Sequence, residues 1–364
     1  MFKKILKNNQ WLVLSVIAVF FAGGMACVFG GCAPAKPKIE WQKGMCYATW
    51  TKEKYSSPEA DESLAELAKT GTKWVAVMTT WYQEACHTTR IFPTEKTPSD
   101  ASVIHAIEKI HSLGMKVMLK PHLDLIDTAG GSWRGEIACA PDDWNKWFES
   151  YRDFMLHYAV IAKEHNVELF CIGTELTSVA TIKEDMWKNK IIAPVKDVYK
   201  GLLTYAANWN EEFMQVKFWD LLDYVGIDAY FPLSENDRPT LDELKKGWEN
   251  WVKEVEDFQK KVNKPIIFPE LGYCSVKGTA RTPWEEIGRG EPDLELQADC
   301  YRAFFETFWD KKWFYGIYWW KWGTDVRFGG PSNKGFSIQN KPAVDVVAEW
   351  YKKPTPARGA LPKG

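Results

Sequence analysis

Histidine is scarce in this chain, net charge is small, and no cysteine spacing would hold a metal; each shortage removes a class of function. Six histidines serve 364 residues. His105, His111, His157 and His165 fall on stretches of helical periodicity, leaving His87 and His122 for strand ends, whereas a catalytic zinc centre needs several ligands converging on one point. His122-Leu123-Asp124 offers the start of such a centre and finds few imidazoles to complete it. The formal net charge is −2, and Lys3, Lys4 and Lys7 sit in the first 31 residues without an acid among them. The remainder is therefore mildly acidic and lacks the basic footprint that nucleic acid demands. A glycine-rich turn after the first predicted strand is missing too. Tyr47-Ala48-Thr49-Trp50 stands there, which argues against an open doubly wound nucleotide-binding sheet.

Aromatic surface is abundant. Twenty tryptophans and 15% aromatic residues exceed ordinary usage. Most of these side chains belong in a large core, which a 46% hydrophobic composition can build. The rest suit a sugar-binding cleft, because a flat ring covers the C–H face of a pyranose and leaves its hydroxyls to polar neighbours.

Residues 1–31 open basic and then run apolar from Trp11 to Phe29, the pattern of a targeting segment that takes no part in the fold. Phe29-Gly30-Gly31-Cys32 resembles a bacterial lipoprotein signal, in which cleavage leaves a lipidated cysteine, here Cys32. Phe29 stands where such signals usually carry Leu, and the apolar run is long enough to span a bilayer, so an uncleaved anchor is the alternative. Both readings place the body outside the cytoplasm, in a bacterial envelope, attached to the membrane through residues 32–38. The body is expected over residues 39–353, followed by a disordered tail at 354–364 with Pro354, Pro356, Gly359 and Pro362. An extracytoplasmic location permits a disulfide between Cys86 and Cys139, with Cys274 and Cys300 as a weaker pair. Cys46 and Cys171 lie in predicted strands and read as buried thiols.

From Ile39 onward, strand-like and helix-like segments alternate. Apolar stretches around residues 44–49, 74–79, 116–120, 169–176, 202–206, 224–230, 265–273 and 314–322 read as strands buried on both faces. Helical periodicity fills the intervals, with Ser57-Pro58 as one start signal and Gly71 and Gly114 as stops. Eight such units point to an α/β fold, a (β/α)8 TIM barrel in a single catalytic domain.

Two of these strands end in glutamate, at Thr174-Glu175 and at Pro269-Glu270. A carboxylate there is costly unless paired, so its position needs a reason. In a barrel, all C-terminal strand ends open on one face. Trp50, Trp81, His122, Asp124, Glu175, Asn208, Tyr230, Glu270 and Trp320 are expected to meet there. Glycoside hydrolysis with retention takes two carboxyls about 5 to 5.5 Å apart, one protonated for the leaving oxygen and one ionised for attack on the anomeric carbon. Glu175 and Glu270, on the fourth and seventh strands, are the expected pair. Tyr230 is expected to donate to Glu270, with packing on Pro232 as its rival role. His122 and Asp124 either bind substrate hydroxyls or brace their loop; Trp50, Trp81, Trp133 and Trp320 either stack on sugar or pack. Asp228 reads as a structural hydrogen-bonding group.

Glutamates ending strands four and seven, a tyrosine ending strand six and a tryptophan in strand eight resemble the large clan of retaining barrel glycosidases. Within it the chain is most similar to glycoside hydrolase family 113, through Gly44-Met45-Cys46-Tyr47, Ile172-Gly173-Thr174-Glu175 and Phe268-Pro269-Glu270-Leu271-Gly272. The resemblance implies an endo-β-1,4-mannanase acting on an oligo- or polysaccharide, with Glu175 as acid/base, Glu270 as nucleophile, and no cofactor or metal. Much of the clan has Asn immediately before the acid/base, holding the sugar 2-hydroxyl. Thr174 stands there in this chain, so the donor is expected to be Asn208 or His122. A membrane-tethered glycan-binding protein without turnover and a β-glucan-active enzyme of the same clan are the alternatives.

Overall fold

The computed structural model describes residues 37–285 and 290–358. The expected signal, Cys32, most of the tether and the tail beyond residue 358 lie outside the described residues. No helix among the described residues is long and apolar enough to cross a membrane.

Eight parallel strands close on themselves. They are β1 (Gln42–Tyr47), β2 (Trp74–Gln83), β4 (Lys116–Leu125), β5 (Leu169–Thr174), β6 (Leu202–Asn208), β7 (Val225–Asp228), β8 (Ile266–Leu271) and β9 (Phe314–Trp322). Each pairs with its neighbour in sequence, and β1 pairs with both β2 and β9, so the sheet has no open edge among these staves. A two-residue strand, β3 (Ile91–Phe92), runs antiparallel beside the end of β2. The (β/α)8 barrel is thus present, and β5 and β8 are its fourth and seventh staves. Nearly every strand residue is buried, which explains continuous apolar runs in place of alternation.

Helices pack outside: α1 (Pro58–Lys69), α2 (Asp100–Ser112), α3 (Trp144–Glu164), α4 (Thr177–Ile182), the single turn α5 (Glu184–Met186), α6 (Ala193–Val198), α7 (Glu212–Gln215), α8 (Leu241–Val262), α9 (Leu294–Phe308) and α10 (Pro342–Lys352). A π-helical turn, Trp187–Ile192, joins α5 to α6. Ser57 and Ser99 cap α1 and α2 by accepting backbone N–H groups, and Thr240 with Glu243 forms a full capping box on α8. Gly71 and Gly114 follow α1 and α2 with φ of 90° and 72°, a conformation that costs a side-chain-bearing residue and suits a helix stop.

Two strands run longer than the sequence suggested. β2 continues to Gln83 and β4 to Leu125, and their register holds without a break, pairing Met78 with Lys120, Thr80 with His122 and Tyr82 with Asp124. Paired residues on parallel strands share a face, so these six side chains form one set, and Trp81 and Leu123 belong to the opposite one. Three other strands are interrupted just below the rim. Register shifts place an extra residue on β5 between Cys171 and Thr174, on β8 between Ile267 and Glu270, and on β9 between Trp319 and Trp322. Such bulges re-aim the side chains that follow them.

Candidate active site

Glu270 illustrates that re-aiming. Phe268 packs on Phe304 and Phe308 of α9, outside the barrel, and strict alternation would send Glu270 the same way. The bulge at Pro269, a residue with no N–H to offer a ladder, turns Glu270 into the lumen instead. There its carboxylate pairs with Lys120 and accepts from the Tyr230 hydroxyl at 3.2 Å, while His122 Nε2 stands 3.4 Å from Oε1. Lys120 also reaches Asp228, at 3.5 Å. Burial opposes the Lys120 charge, but Asp228 and Glu270 together hold its ammonium above the ordinary lysine range. Asp228 is fully buried, and burial pushes it well above the usual carboxylate range against the pull of Lys120. Burial also drives His122 well below the usual histidine value, reinforced by Lys120 and Arg134, so its ring is neutral at ordinary pH. Its Nε2 makes no hydrogen bond to the protein.

Glu175 follows the β5 bulge with φ of 50°, the left-handed region that a glutamate rarely occupies. Its N–H donates to the Ala206 carbonyl at 2.8 Å, tying it to β6. Asn208, at the end of β6, donates its side-chain amide to Glu175 Oε1 at 2.7 Å. Arg134 reaches Oε2 at 3.3 Å and makes its stronger pairing with Asp124. The Glu175 carboxyl is raised above the usual range, chiefly by burial; Arg134 opposes this and the nearby Glu270 charge adds to it. The two acids differ in their surroundings. A buried lysine and a tyrosine hydroxyl face Glu270, whereas Glu175 has an amide and an arginine already committed to Asp124.

Aromatic rings surround the pair. Trp320 lies parallel to the His122 ring, 6.5 Å away and 13° inclined, with Trp50 edge-on to it at 6.4 Å. The Lys321 ammonium sits 4.5 Å over Trp50 and 5.0 Å over Trp320. A cleft of about 470 Å³ opens beside them, lined by Trp50, Tyr82, Lys96, Asp124, Trp133 and Arg134 among others.

The structure brings Trp50, His122, Asp124, Glu175, Asn208, Tyr230, Glu270 and Trp320 to one end of the barrel. Trp81 is the exception. It stacks on Phe154 of α3 at 5.1 Å and donates its indole N–H to Tyr158 at 3.0 Å, so it packs outside the barrel and offers no platform to a sugar. Tyr82, one residue on, lines the cleft in its place. The disulfide that an extracytoplasmic location would permit between Cys86 and Cys139 is not formed: the Cys86 thiol faces the Trp133 carbonyl and the Cys139 thiol faces that of Thr88. Cys300 is likewise a thiol, which removes the weaker pair. A metal centre begun by His122 and Asp124 has no support either, because Arg134 engages Asp124 and His122 turns to Glu270.

Sequence reasoning gave no role to Lys120, Arg134, Tyr82 or Glu212. Lys120 carried a signal, a lysine directly after the apolar run Val117-Met118-Leu119, where burial demands a carboxylate partner. Glu212 is fully buried on the short α7 and carried none.

The family profile described as Glycoside Hydrolase Family 113 matches residues 45–341. Among solved structures, one described as a complex of a GH113 β-1,4-mannanase is 30% identical, with a TM-score of 0.78, over 86% of this chain and 100% of that one. The GH113 β-mannanase AaManA from Alicyclobacillus acidocaldarius, in complex with ManMIm, is 31% identical, with a TM-score of 0.76, over 86% and 98% of the two chains. A β-glucuronidase from Ruminococcus gnavus, 14% identical at a TM-score of 0.57, covers 86% of this chain and 50% of its own length, a likeness of fold alone. No curated protein matches.

Proposed function

The chain belongs to glycoside hydrolase family 113, and from that premise we propose that this glycoside hydrolase is a retaining endo-β-1,4-mannanase working by double displacement. Glu270 attacks the anomeric carbon while Glu175 gives its proton to the leaving glycosidic oxygen. Glu175 then takes a proton from the water that releases the sugar from Glu270. The observation carrying this reading is the contrast between the two acids. Lys120 and Tyr230 pair with Glu270 and orient its carboxylate, whereas burial and the Glu270 charge favour the protonated form of Glu175. His122, neutral and with Nε2 uncommitted beside the nucleophile, is the group placed to meet the sugar 2-hydroxyl. Asn208 is occupied by Glu175. Trp320 floors the reacting subsite, and Trp50, Tyr82 and Trp133 extend it along the cleft. The β-1,4-mannanase structures at about 30% identity support mannan as substrate.

Incubation with mannan, glucomannan and cellulose, followed by the product profile on mannohexaose, tests the substrate. Glu270→Ala is expected to abolish turnover and to regain part of it with azide, and Glu175→Ala to retain cleavage of aryl glycosides whose leaving groups need no proton. Full activity of either variant on mannan would end the assignment. Affinity for mannan without any new reducing ends would make the protein a binder, and release from cellulose alone would make it a β-glucan enzyme. The proposal extends to residues 1–31 as a lipoprotein-type signal and to residues 32–38 as a tether, lipid-bearing at Cys32, that holds the enzyme to a bacterial membrane. A size shift under globomycin supports cleavage and lipidation there; an unshifted, membrane-bound chain supports an uncleaved anchor.

A further inference from the structure

Glu212 lies on none of the barrel strands, yet it joins β6 to the start of α4 beside Glu175. Its carboxylate accepts the Asn208 backbone N–H at 2.7 Å and the Thr177 hydroxyl at 2.9 Å through Oε2, and the Tyr205 hydroxyl through Oε1. Tyr205 in turn accepts the backbone N–H of Leu176, the residue after Glu175, at 2.8 Å. One buried group thus holds the chain directly after Glu175 from two sides, and it holds the backbone of Asn208, whose amide grips the Glu175 carboxyl. The segment needs holding, because Glu175 sits at positive φ at the point where the β5 bulge and the start of α4 meet. Glu211, immediately before Glu212, is also left-handed, with φ of 64°, so the loop is shaped to turn Glu212 inward.

We propose that Glu212, acting through Tyr205, is a positioning residue that fixes the Glu175 carboxyl in line with the leaving oxygen. The inference rests on the acid/base reading of Glu175. A group that acts only through the proton donor matters in proportion to how much the leaving group needs a proton. A group that merely supports the fold affects every substrate alike.

The experiment compares kcat/KM on mannohexaose, whose leaving hydroxyl requires protonation, with kcat/KM on 2,4-dinitrophenyl β-mannobioside, whose phenolate departs unaided. Both substrates report the glycosylation step. Glu212→Gln is expected to lose about 10- to 100-fold on mannohexaose, part of the 10²–10⁴ that positioned proton transfer supplies, and to stay within about threefold of the parent on the aryl glycoside. Tyr205→Phe removes the link to Leu176 and its hydrogen bond to Glu212 while leaving the Glu212 carboxyl itself in place. It is expected to show the same split in smaller measure, and it carries the test if Glu212→Gln does not fold. Parallel losses on both substrates, or no loss on mannohexaose, overturn the inference. Glu175→Gln is measured alongside. If it shows the split and Glu212→Gln and Tyr205→Phe do not, the acid/base assignment stands and the positioning role falls. If Glu175→Gln keeps full activity on mannohexaose, both fall.

Discussion

A carboxyl without exposure to water ties folding to pH, and Glu212 is such a group. Burial raises it to about 7 despite the hydrogen bonds of Tyr205, Asn208 and Thr177. The sign follows from proton counting: between the ordinary glutamate value and 7 the native state holds a proton that the unfolded chain has released, so this group's contribution to stability falls as pH rises through that window. Glu212→Gln removes the titration. The stability of the variant relative to the parent is therefore expected to improve from pH 5 to pH 8, by an amount on the order of 3 kcal/mol, in paired urea denaturations. A difference that stays flat across that range would show that Glu212 titrates normally. At the same scale, Trp81 and Tyr82 mark where sequence reading stopped. An aromatic pair at a strand end was legible, but which of the two faced the lumen depended on whether the alternation of β2 continued unbroken past Thr79, as it does to Gln83.

Among the elements, the bulges carry most of the functional information and the least sequence signal. Those on β5 and β8 come just before Glu175 and Glu270, and the one on β9 contains Trp320. The β8 bulge also needs room from its neighbour. A Cβ on Gly226 of β7 would stand 2.3 Å from the Tyr205 carbonyl oxygen and 2.8 Å from Pro269 Cγ, both parts of rigid strands. Gly226→Ala is expected to cost about 1–3 kcal/mol in urea denaturation, the range of an overpacked core, and to lower activity by displacing Pro269 and the acid that follows it. An alanine variant of unchanged stability and turnover would show that the strands part freely. Pro269 was visible in the sequence as a boundary of an apolar run, but its extra residue in the register exists only against the paired strand.

For the whole molecule, closure is the decisive property, and α10 secures it from the chain's far end. Lys43 of β1 donates its ammonium to the Tyr351 and Lys353 carbonyls at 2.6 and 2.7 Å, and the Tyr351 hydroxyl donates to the Gly44 carbonyl at 2.8 Å. Trp350 stacks on Phe305 of α9 at 5.4 Å. Ending the chain at residue 341 would strand the Lys43 charge and expose the faces that Ala343, Val346, Val347 and Tyr351 cover. At about 1.5–3 kcal/mol for each of the larger apolar side chains, that loss approaches the net stability of an ordinary domain. The truncated chain is expected to lose its cooperative thermal transition in circular dichroism, and a sharp melt near the parent's would count against this role for α10.

The sequence alone determined the alternation of eight strands and helices, and the glutamates that end the fourth and seventh, because burial on both faces writes itself as unbroken apolar runs and a charge at their end stands out. Tertiary structure decided which side chains face the lumen, that Lys120 meets Glu270 and Asp228 across the barrel, and that Glu212 holds the ground behind Glu175. Those contacts join residues 29 to 150 positions apart, and their geometry depends on register and bulges, which are properties of paired strands and of no single stretch of chain.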